Sequence, residues 1–434
     1  SYTGSTFGPQ AGSDPGPIDR LVLEDSRLVV TATTRLTAIA DVTLRRTEVA
    51  AHEVQVADPL AVLIDGSSVV GHALVDVRAS EGLAVTGSTL RADDGNVFVW
   101  ATGDRSAAPP APGRLVVQAS VVEALSQQPG GEGSGTVEFH AWGASLELSG
   151  NERIAAAGDI DVVSEGDGDV AIAGNGFAAG VGGDDGSIVI RTATSGDLRV
   201  SQNAFAASLE VLVLAERQES PGRSVTFEGN EVSIAGDAAS LFRLEANVAE
   251  CAVTDNVLSV VGSADAETFI GCFTAPELQG LDMLVAGNDV SVPRGNITVQ
   301  VHRLQRLGQS AESTATIEDN RFVTAGRLYV EVWENGALDP VLRGNTVDAA
   351  GVRVRGIGAT LVANVVTHRA EGLLYLSIGD GLHVELTDNE FTKVGASSPT
   401  AAAVRLVYDD KEGTLAMSGN VLRDQYMPLD LSLR

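Results

Sequence analysis

The chain has 434 residues and a formal net charge of -29, with 58 acidic residues against 29 lysines and arginines. This charge repels phosphates and argues against a nucleic-acid-binding surface. Hydrophobic residues make up 44% of the chain, which is enough to bury a large core, so composition also excludes wholesale disorder. No apolar run reaches the roughly 18 residues of a membrane-spanning helix. Because the sequence begins at Ser1 without Met, we expect either a processed, exported protein or a trimmed chain.

The first segment of the chain, residues 1–18, is rich in Gly, Pro and Ser and predicts a flexible N-terminal arm. The rest of the chain, residues 19–434, is predicted to form a single repeat domain. No amphipathic helix comes before the first repeat, so nothing in the sequence covers that end. We therefore expect capping by a partner subunit or a neighbouring domain, or end-to-end stacking of copies.

The repeat is a short pattern that recurs from the N-terminal third to the end: apolar-x-apolar-x-x-marker-x-apolar. In the N-terminal third the marker is a hydroxyl residue, namely Ser26, Thr47, Ser67, Ser88 and Ser120. Further along it is asparagine, namely Asn151, Asn175, Asn203, Asn230, Asn256, Asn288, Asn320, Asn345, Asn364, Asn389 and Asn420. Successive markers lie 19 to 32 residues apart, a wider spread than leucine-rich or helical repeats show.

A second run of alternating apolar residues follows each marker by about ten residues, as in VFVWA at 97–101 and LYVEVW at 328–333. Alternation with period two predicts strands. The predicted fold is therefore all-β, a right-handed parallel β-helix of about 16 coils, whose equivalent strands stack about 4.8 Å apart. The marker side chains are expected to form a hydrogen-bonded ladder at one turn, and asparagine also tolerates the left-handed backbone of a tight turn.

This succession of strand, asparagine turn and strand resembles the pectate-lyase-like superfamily of right-handed β-helix proteins over residues 20–425. The resemblance is one of architecture. The Asn-Thr-Asp and Arg-Ile-Lys strings of the family's polygalacturonases do not occur in the sequence, and neither do the lysine-bearing motifs of its alginate and chondroitin lyases. The resemblance implies that a polysaccharide would lie across the outer face of the VFVWA-type strands, between flanking loops.

A first group of predicted outward positions lies on four consecutive VFVWA-type strands: Phe98, Trp100, Glu138, His140, Trp142, Asp159, Asp161 and Arg191. By the resemblance, the long loops 101–113 and 123–135 would wall a groove there. In an enzyme, Glu138 and Asp161 would be a general acid and base, and His140 or Arg191 would assist. Trp100 and Trp142 would stack against sugar rings. The alternative is a set of cross-strand pairs on a solvated sheet, and we assign no catalytic residue.

A second group of outward positions lies further along the chain: Gln300, His302, Tyr329, Glu331, Trp333, Arg353, Arg355, Tyr375 and Arg405. All three tryptophans of the chain and three of its five tyrosines fall on strands of this one type. That placement indicates a contact surface for a sugar chain or a protein partner. The arginines are suited to a uronate or sulfate polymer.

Metal and cysteine signals are weak. Asp167, Asp169, Asp184 and Asp185 lie in Gly-rich loops that offer calcium ligands, but their spacing is not that of a calcium loop, so we predict solvated turns and no cofactor. Two cysteines, Cys251 and Cys272, are too few for a zinc site. They form either one disulfide or two buried free thiols.

Together these patterns favour an exported, non-catalytic β-helix rod, structural or adhesive, located outside the cell or at its surface. It would bind polysaccharide or a partner subunit along one outward sheet. The alternative is a polysaccharide lyase or glycoside hydrolase with a groove around Glu138, His140 and Asp161. A β-helix hosts enzymes and adhesins alike, so the architecture does not choose between the two.

Overall fold

A computed structural model describes residues 5–7, 18–57, 59–102, 113–126, 135–181, 185–216, 223–236, 240–262, 266–274, 281–303, 314–333, 340–356, 358–369, 374–378, 383–394, 402–408, 414–423 and 427–433. In these ranges the regular structure is strand, without any helix. No helix in this described part is therefore long and apolar enough to cross a membrane. The chain divides into two compact units, Ser1–Leu212 and Val213–Arg434.

The strands are short and follow one another closely along the chain. The first unit contains β1 (Ser5–Phe7), β2 (Arg20–Glu24), β3 (Arg27–Val29), β4 (Thr33–Leu36), β5 (Asp41–Arg45), β6 (Glu48–Val56), β7 (Ala61–Asp65), β8 (Ser68–Ala79), β9 (Gly82–Thr86), β10 (Thr89–Ala92), β11 (Asn96–Thr102), β12 (Gly113–Gln118), β13 (Val121–Ala124), β14 (Val137–Trp142), β15 (Ala144–Ser149), β16 (Arg153–Ala156), β17 (Ile160–Gly166), β18 (Val170–Ala173), β19 (Gly176–Ala179), β20 (Ser187–Thr194), β21 (Leu198–Ser201) and β22 (Ala204–Ala207). The unit boundary falls in β23 (Glu210–Ala215).

The second unit contains β24 (Ser224–Glu228), β25 (Glu231–Ala235), β26 (Leu241–Asn247), β27 (Glu250–Thr254), β28 (Val257–Val261), β29 (Glu267–Thr274), β30 (Asp282–Ala286), β31 (Asp289–Val292), β32 (Asn296–Arg303), β33 (Thr314–Glu318), β34 (Arg321–Thr324), β35 (Arg327–Trp333), β36 (Val341–Arg343), β37 (Thr346–Ala349), β38 (Gly351–Gly356), β39 (Ala359–Val362), β40 (Val365–Arg369), β41 (Leu374–Ile378), β42 (His383–Thr387), β43 (Glu390–Val394), β44 (Ala402–Tyr408), β45 (Thr414–Ser418), β46 (Val421–Arg423) and β47 (Met427–Leu433).

Within each unit the strands pair in parallel and form three ladders, with one strand of each ladder in a coil. In the first unit, β9, β12, β15, β18 and β21 belong to the first ladder, β10, β13, β16, β19 and β22 to the second, and β11, β14, β17 and β20 to the third. In β6 and β8 the second-ladder and third-ladder strands run together without a break. From β24 onwards, successive strands of the second unit belong to the first, second and third ladder in turn, beginning with β24, β25 and β26. Each unit is therefore a parallel β-helix, as predicted.

The number of coils also agrees with the prediction. The first ladder has eight strands in the first unit, from β2 to β21, and eight in the second, from β24 to β45. These sixteen strands correspond to the sixteen markers in the sequence. Each marker lies in the turn between the first and second strands of its coil, as Asn151 does between β15 and β16.

The core follows from the alternation of residues along each strand. In β11, Val97, Val99 and Ala101 are fully buried, whereas Phe98 and Trp100 between them are partly exposed. The same alternation recurs on strand after strand, so stacked coils bury continuous columns of Val, Leu and Ile. Phenylalanines fill wider places inside, and the rings of Phe177 and Phe205 in successive coils stack 5.0 Å apart.

The markers form the predicted ladder. In the first unit, the backbone N–H of Asn151 donates to Oδ1 of Asn175 at 3.0 Å, and the N–H of Asn175 donates to Oδ1 of Asn203 at 3.0 Å. The amide Nδ2 of Asn151 donates to the Val117 carbonyl at 2.9 Å. The earlier hydroxyl markers continue the ladder, since the N–H of Thr47 donates to Oγ of Ser67 at 3.0 Å. The second unit repeats this arrangement from Asn230 to Asn420.

One detail of the turn differs from the prediction. The left-handed backbone belongs to the residue that precedes each marker and not to the asparagine itself. That residue is glycine in eight coils: Gly66, Gly87, Gly150, Gly174, Gly229, Gly287, Gly344 and Gly419. It is another residue in eight coils: Asp25, Arg46, Ala119, Gln202, Asp255, Asp319, Ala363 and Asp388. The asparagine needs an ordinary backbone conformation because its side chain must point into the coil to join the ladder.

The two cysteines form a disulfide inside the second unit. Cys251 lies on β27 and Cys272 on β29, and both are buried. The bond therefore joins the first and third strands of one coil across the core. It closes a sequence separation of 21 residues, and the alternative of two free thiols is excluded.

The N-terminal segment includes one described strand. Ser5–Phe7 form β1, which pairs in parallel with Thr34–Leu36 of β4. The other residues of segment 1–18, apart from Ile18, lie outside the described ranges. The flexible arm and the single domain over 19–434 therefore stay predictions.

Candidate functional site

The first group of predicted residues lies on the third ladder of the first unit. On β11, β14, β17 and β20 the outward side chains form rows that run across the strands. Phe98 pairs in register with Glu138, and Glu138 with Asp161. In the next row Trp100 pairs with His140, and in the third Trp142 pairs with Glu165. We call Trp100, Glu138, His140, Trp142 and Asp161 the tryptophan patch.

The aromatic rings of the patch contact one another. The rings of Trp100 and His140 lie edge to face, with centroids 5.4 Å apart and planes inclined at 65°. The rings of His140 and Trp142 are almost parallel, at 4°, with centroids 6.0 Å apart. Trp142, at the end of β14, keeps 38% of its surface exposed. The patch therefore presents one indole ring to solvent and holds it against a partly buried imidazole.

An arginine that the sequence did not single out completes one side of the patch. The guanidinium of Arg78, on β8, lies 4.1 Å from the ring centroid of Trp100, within cation–π distance. Its Nε donates to Oδ1 of Asp76 at 2.8 Å. The signal that identifies Arg78 is its place in the outward row, where it pairs in register with Trp100.

The pKa of Asp161 in the patch depends on its burial and on the neighbouring acidic side chains. Burial raises the pKa of Asp161 above its ordinary value, and the negative charges of Asp159 and Glu138 raise it further, while Arg191 opposes them. Oε1 of Glu138 lies 3.7 Å from Nδ1 of His140. The two neighbouring rows therefore bring together a carboxyl group that retains its proton to higher pH than usual, a second carboxyl group and an imidazole. Such a set can bind hydroxyl or amino groups, or transfer a proton.

Two nitrogens of the patch are buried and lack a hydrogen-bond partner in the described part of the chain, namely Nε1 of Trp100 and Nε2 of His140. A buried donor or acceptor without a partner costs about 1–3 kcal/mol. The aromatic neighbours of these two side chains therefore hold them in place at some cost in stability. Asp159, beside the patch, instead accepts a hydrogen bond from the backbone N–H of Ser187 at 2.8 Å.

The second group of predicted residues lies on the third ladder of the second unit, again in rows. Tyr329 pairs in register with Arg353, Arg353 with Tyr375, and Tyr375 with Arg405. We call these four residues the arginine–tyrosine row. A neighbouring row contains Gln300, Glu331 and Arg355, and a third pairs His302 with Trp333. For His302, Trp333, Tyr375 and Arg405 the structure describes the place on the strand but not the side chain.

The arginine–tyrosine row extends towards the start of the second unit through residues that the sequence did not single out. Arg243 pairs in register with Phe269, and Phe269 with Thr298, which precedes Tyr329 in the row. The guanidinium of Arg243 lies 5.1 Å from the Phe269 ring and also pairs with Glu245. The signal for them is the alternation in the strands at 241–247 and 267–274, where these residues occupy outward positions.

The remaining candidates are not brought together. Oδ1 of Asp167 accepts a hydrogen bond from Oγ of Ser195, and Oδ1 of Asp169 accepts one from the backbone N–H of Asp197. Asp185 is exposed, and Asp184 lies outside the described residues. Within the described ranges, no three His, Cys, Asp or Glu side chains form a metal-ligand set. The predicted groove walls also lie mainly outside the described residues, at 103–112 and 127–134.

Comparison of the chain with models of protein families, with curated proteins and with solved structures finds no match. The structure itself shows a parallel β-helix architecture with an asparagine ladder.

Proposed function

We propose that this chain is an exported, non-catalytic β-helix protein, structural or adhesive, that binds polysaccharide or a partner subunit along the outward face of its third ladder. The observation that carries the proposal is the exposed ring of Trp142, held parallel to His140 and in register with Glu165 on the next strand. A flat aromatic surface next to hydrogen-bonding groups matches the apolar face and the hydroxyl edge of a sugar ring. We therefore favour polysaccharide over a partner subunit.

The disulfide supports a location outside the cell or at its surface. Disulfides form and persist in oxidising compartments and are rare in the reducing cytosol. The Cys251–Cys272 bond is buried in the core of the second unit, where it serves as a structural bond and not as an exposed redox pair. A protein that folds around such a bond is suited to export.

The test is binding of the full chain to a panel of neutral, acidic and amino polysaccharides, measured by calorimetry and by retention on immobilised polymer. We expect at least one polymer to bind, and Trp142→Ala to weaken its binding by about tenfold or more, because a stacked aromatic anchor is lost. Val257→Ala is the matched control, since Val257 is an apolar side chain 51% exposed on a different ladder. Equal loss in both variants, or no binding at all, would contradict the proposal.

A second candidate function is catalytic, a polysaccharide lyase or glycoside hydrolase that acts at Glu138, His140 and Asp161. The observation in its favour is the raised pKa of Asp161 beside Glu138, because a carboxyl group whose pKa is raised by burial and by a nearby carboxyl group is the usual general acid of glycoside hydrolysis. The test is turnover of acidic and neutral polysaccharides. Activity that Glu138→Gln and His140→Ala both abolish would replace the binding function by the catalytic one.

A further inference from the structure

The tryptophan patch combines a flat apolar surface with an excess of negative charge. The carboxyl group in register with the exposed Trp142 is that of Glu165 on β17, and Glu138 and Asp161 lie four residues earlier on the same two strands. Asp159 lies next to β17, and its negative charge raises the pKa of Asp161. A ligand that stacks on Trp142 therefore meets carboxyl groups along the neighbouring strand.

Among the described residues, the positive charges near the patch do not balance this excess. The guanidinium of Arg78 is already directed to Asp76 and to the ring of Trp100. The other cation that the described strands β8 to β20 place in these rows is Arg191, and its effect on Asp161 is smaller than the combined effect of burial, Asp159 and Glu138. The site is therefore more favourable for a cationic ligand than for an anionic one.

From this combination of ring and charge we infer that the tryptophan patch binds a sugar chain with free amino groups, of the glucosamine-polymer class, in preference to neutral or uronate chains. The inference rests on the proposed polysaccharide-binding function and specifies the ligand of that site. A sugar ring stacks on Trp142, and its protonated amino group donates a charge-assisted hydrogen bond to Glu165, the register partner of Trp142. The carboxylate of a uronate in the same position would be repelled by Glu165.

The experiment compares three short oligosaccharides of equal length on the full chain: glucosamine oligomers, their N-acetylated counterparts and galacturonate oligomers. Binding is measured by calorimetry at physiological ionic strength, which screens general attraction between a cationic ligand and an acidic protein. We expect the glucosamine oligomer to bind about tenfold or more tightly than the acetylated one, as the charge-assisted contact is lost on acetylation. The galacturonate oligomer is expected to bind more weakly than either.

Three variants separate the patch from the acidity of the whole chain. Trp142→Ala is expected to lose about tenfold or more in affinity for the glucosamine oligomer. Glu165→Gln is expected to reduce the preference for the free amine over the acetylated ligand. Glu152→Gln, which removes a carboxylate at an exposed turn position, is the matched control. It should change neither the affinity for the glucosamine oligomer nor the preference for the free amine. Circular dichroism and the thermal unfolding midpoint check that each variant is folded.

The outcomes separate the inference from the proposed function. If the glucosamine oligomer binds Trp142→Ala as tightly as the wild type, the attraction is general and the inference fails. It also fails if the acetylated or the galacturonate oligomer binds more tightly than the free amine, although polysaccharide binding then stands. If no carbohydrate of any class binds, the proposed function fails with it.

Discussion

Ala119 and Gly150 occupy the same turn position in successive coils of the first unit, and both have a left-handed backbone, with φ of 49° and 58°. A Cβ added to Gly150 would meet no atom within 4 Å, so only backbone strain separates the two residues. Left-handed backbone costs an L-residue about 1–2 kcal/mol, whereas glycine adopts it freely. The turn ladder therefore tolerates this strain in the eight coils that have no glycine at the position.

Substituting each residue by the other type is expected to change the free energy of unfolding in opposite directions at the two positions. Gly150→Ala should lower the free energy of unfolding by about 1 kcal/mol, and Ala119→Gly should raise it by about 0.5–1 kcal/mol. Urea unfolding of each variant, monitored by circular dichroism, measures both changes. Stabilisation by Gly150→Ala together with destabilisation by Ala119→Gly would show that glycine entropy and not left-handed strain controls the turn.

The disulfide is expected to contribute to the stability of the second unit. Closing a loop of 21 residues contributes about 3 kcal/mol through the entropy of the unfolded chain. The double variant Cys251→Ala and Cys272→Ala should therefore lower the unfolding midpoint, and reductant should lower the midpoint of the wild type but not of the variant. An unchanged wild-type midpoint in reductant would contradict the contribution of this bond.

Stability near the tryptophan patch is expected to depend on Asp161 in a defined pH window. Because the pKa of Asp161 is raised in the folded protein, the folded state binds more protons than the unfolded state between the ordinary Asp pKa of 3.8 and the raised value. Through that window, the contribution of Asp161 to stability falls as pH rises. Asp161→Asn should therefore raise the thermal midpoint at neutral pH and lose this advantage at a pH below the ordinary value.

A control variant separates this local effect from a change in total charge. Glu152→Gln removes one carboxylate at an exposed turn position and should not reproduce the pH-dependent gain. The measurement is the midpoint of each variant relative to the wild type across the acidic and neutral range. A gain for Asp161→Asn that persists unchanged below the ordinary pKa would exclude titration of Asp161 as its cause.

Lys393 is expected to destabilise the second unit. Its side chain points into the coil, 3% exposed, and its Nζ has no hydrogen-bond partner among the described residues. His368, the register partner of Lys393 on β40, is also buried. An unpaired buried amine costs about 1–3 kcal/mol or more, so Lys393→Met, which keeps the length of the side chain, should raise the free energy of unfolding.

The contrasting variant is Phe391→Ala, a truncation of a fully buried ring on the same strand, which should cost about 3–5 kcal/mol. Both variants are compared by urea unfolding. A loss of stability for Lys393→Met, instead of a gain, would mean that the amine has a favourable partner in the folded protein.

The fold could be predicted because its signals repeat. A hydroxyl or asparagine marker and an alternating run recur in every coil, and a single arrangement of stacked coils satisfies all of them. The left-handed turn position could not be assigned in the same way, since residues such as Arg46, Ala119 and Gln202 carry no turn signal of their own. Their conformation is imposed by the neighbouring coils through the ladder.

The candidate site was predictable in its rows but not in its contacts. Outward alternation placed Glu138 and Asp161 close together, and the structure pairs them in register. Which carboxyl group has the raised pKa depends on burial and on Asp159, and neither follows from strand periodicity. Arg78 escaped prediction because it lies on β8, where two ladders merge into one strand without the usual break.

The most direct test of the account is a crystal structure of the full chain with the oligosaccharide that binds most tightly in the panel. We predict a sugar ring stacked on the exposed face of Trp142, with its polar groups directed to Glu165. A sugar chain bound on the first or second ladder, with Trp142 unoccupied, would contradict the account.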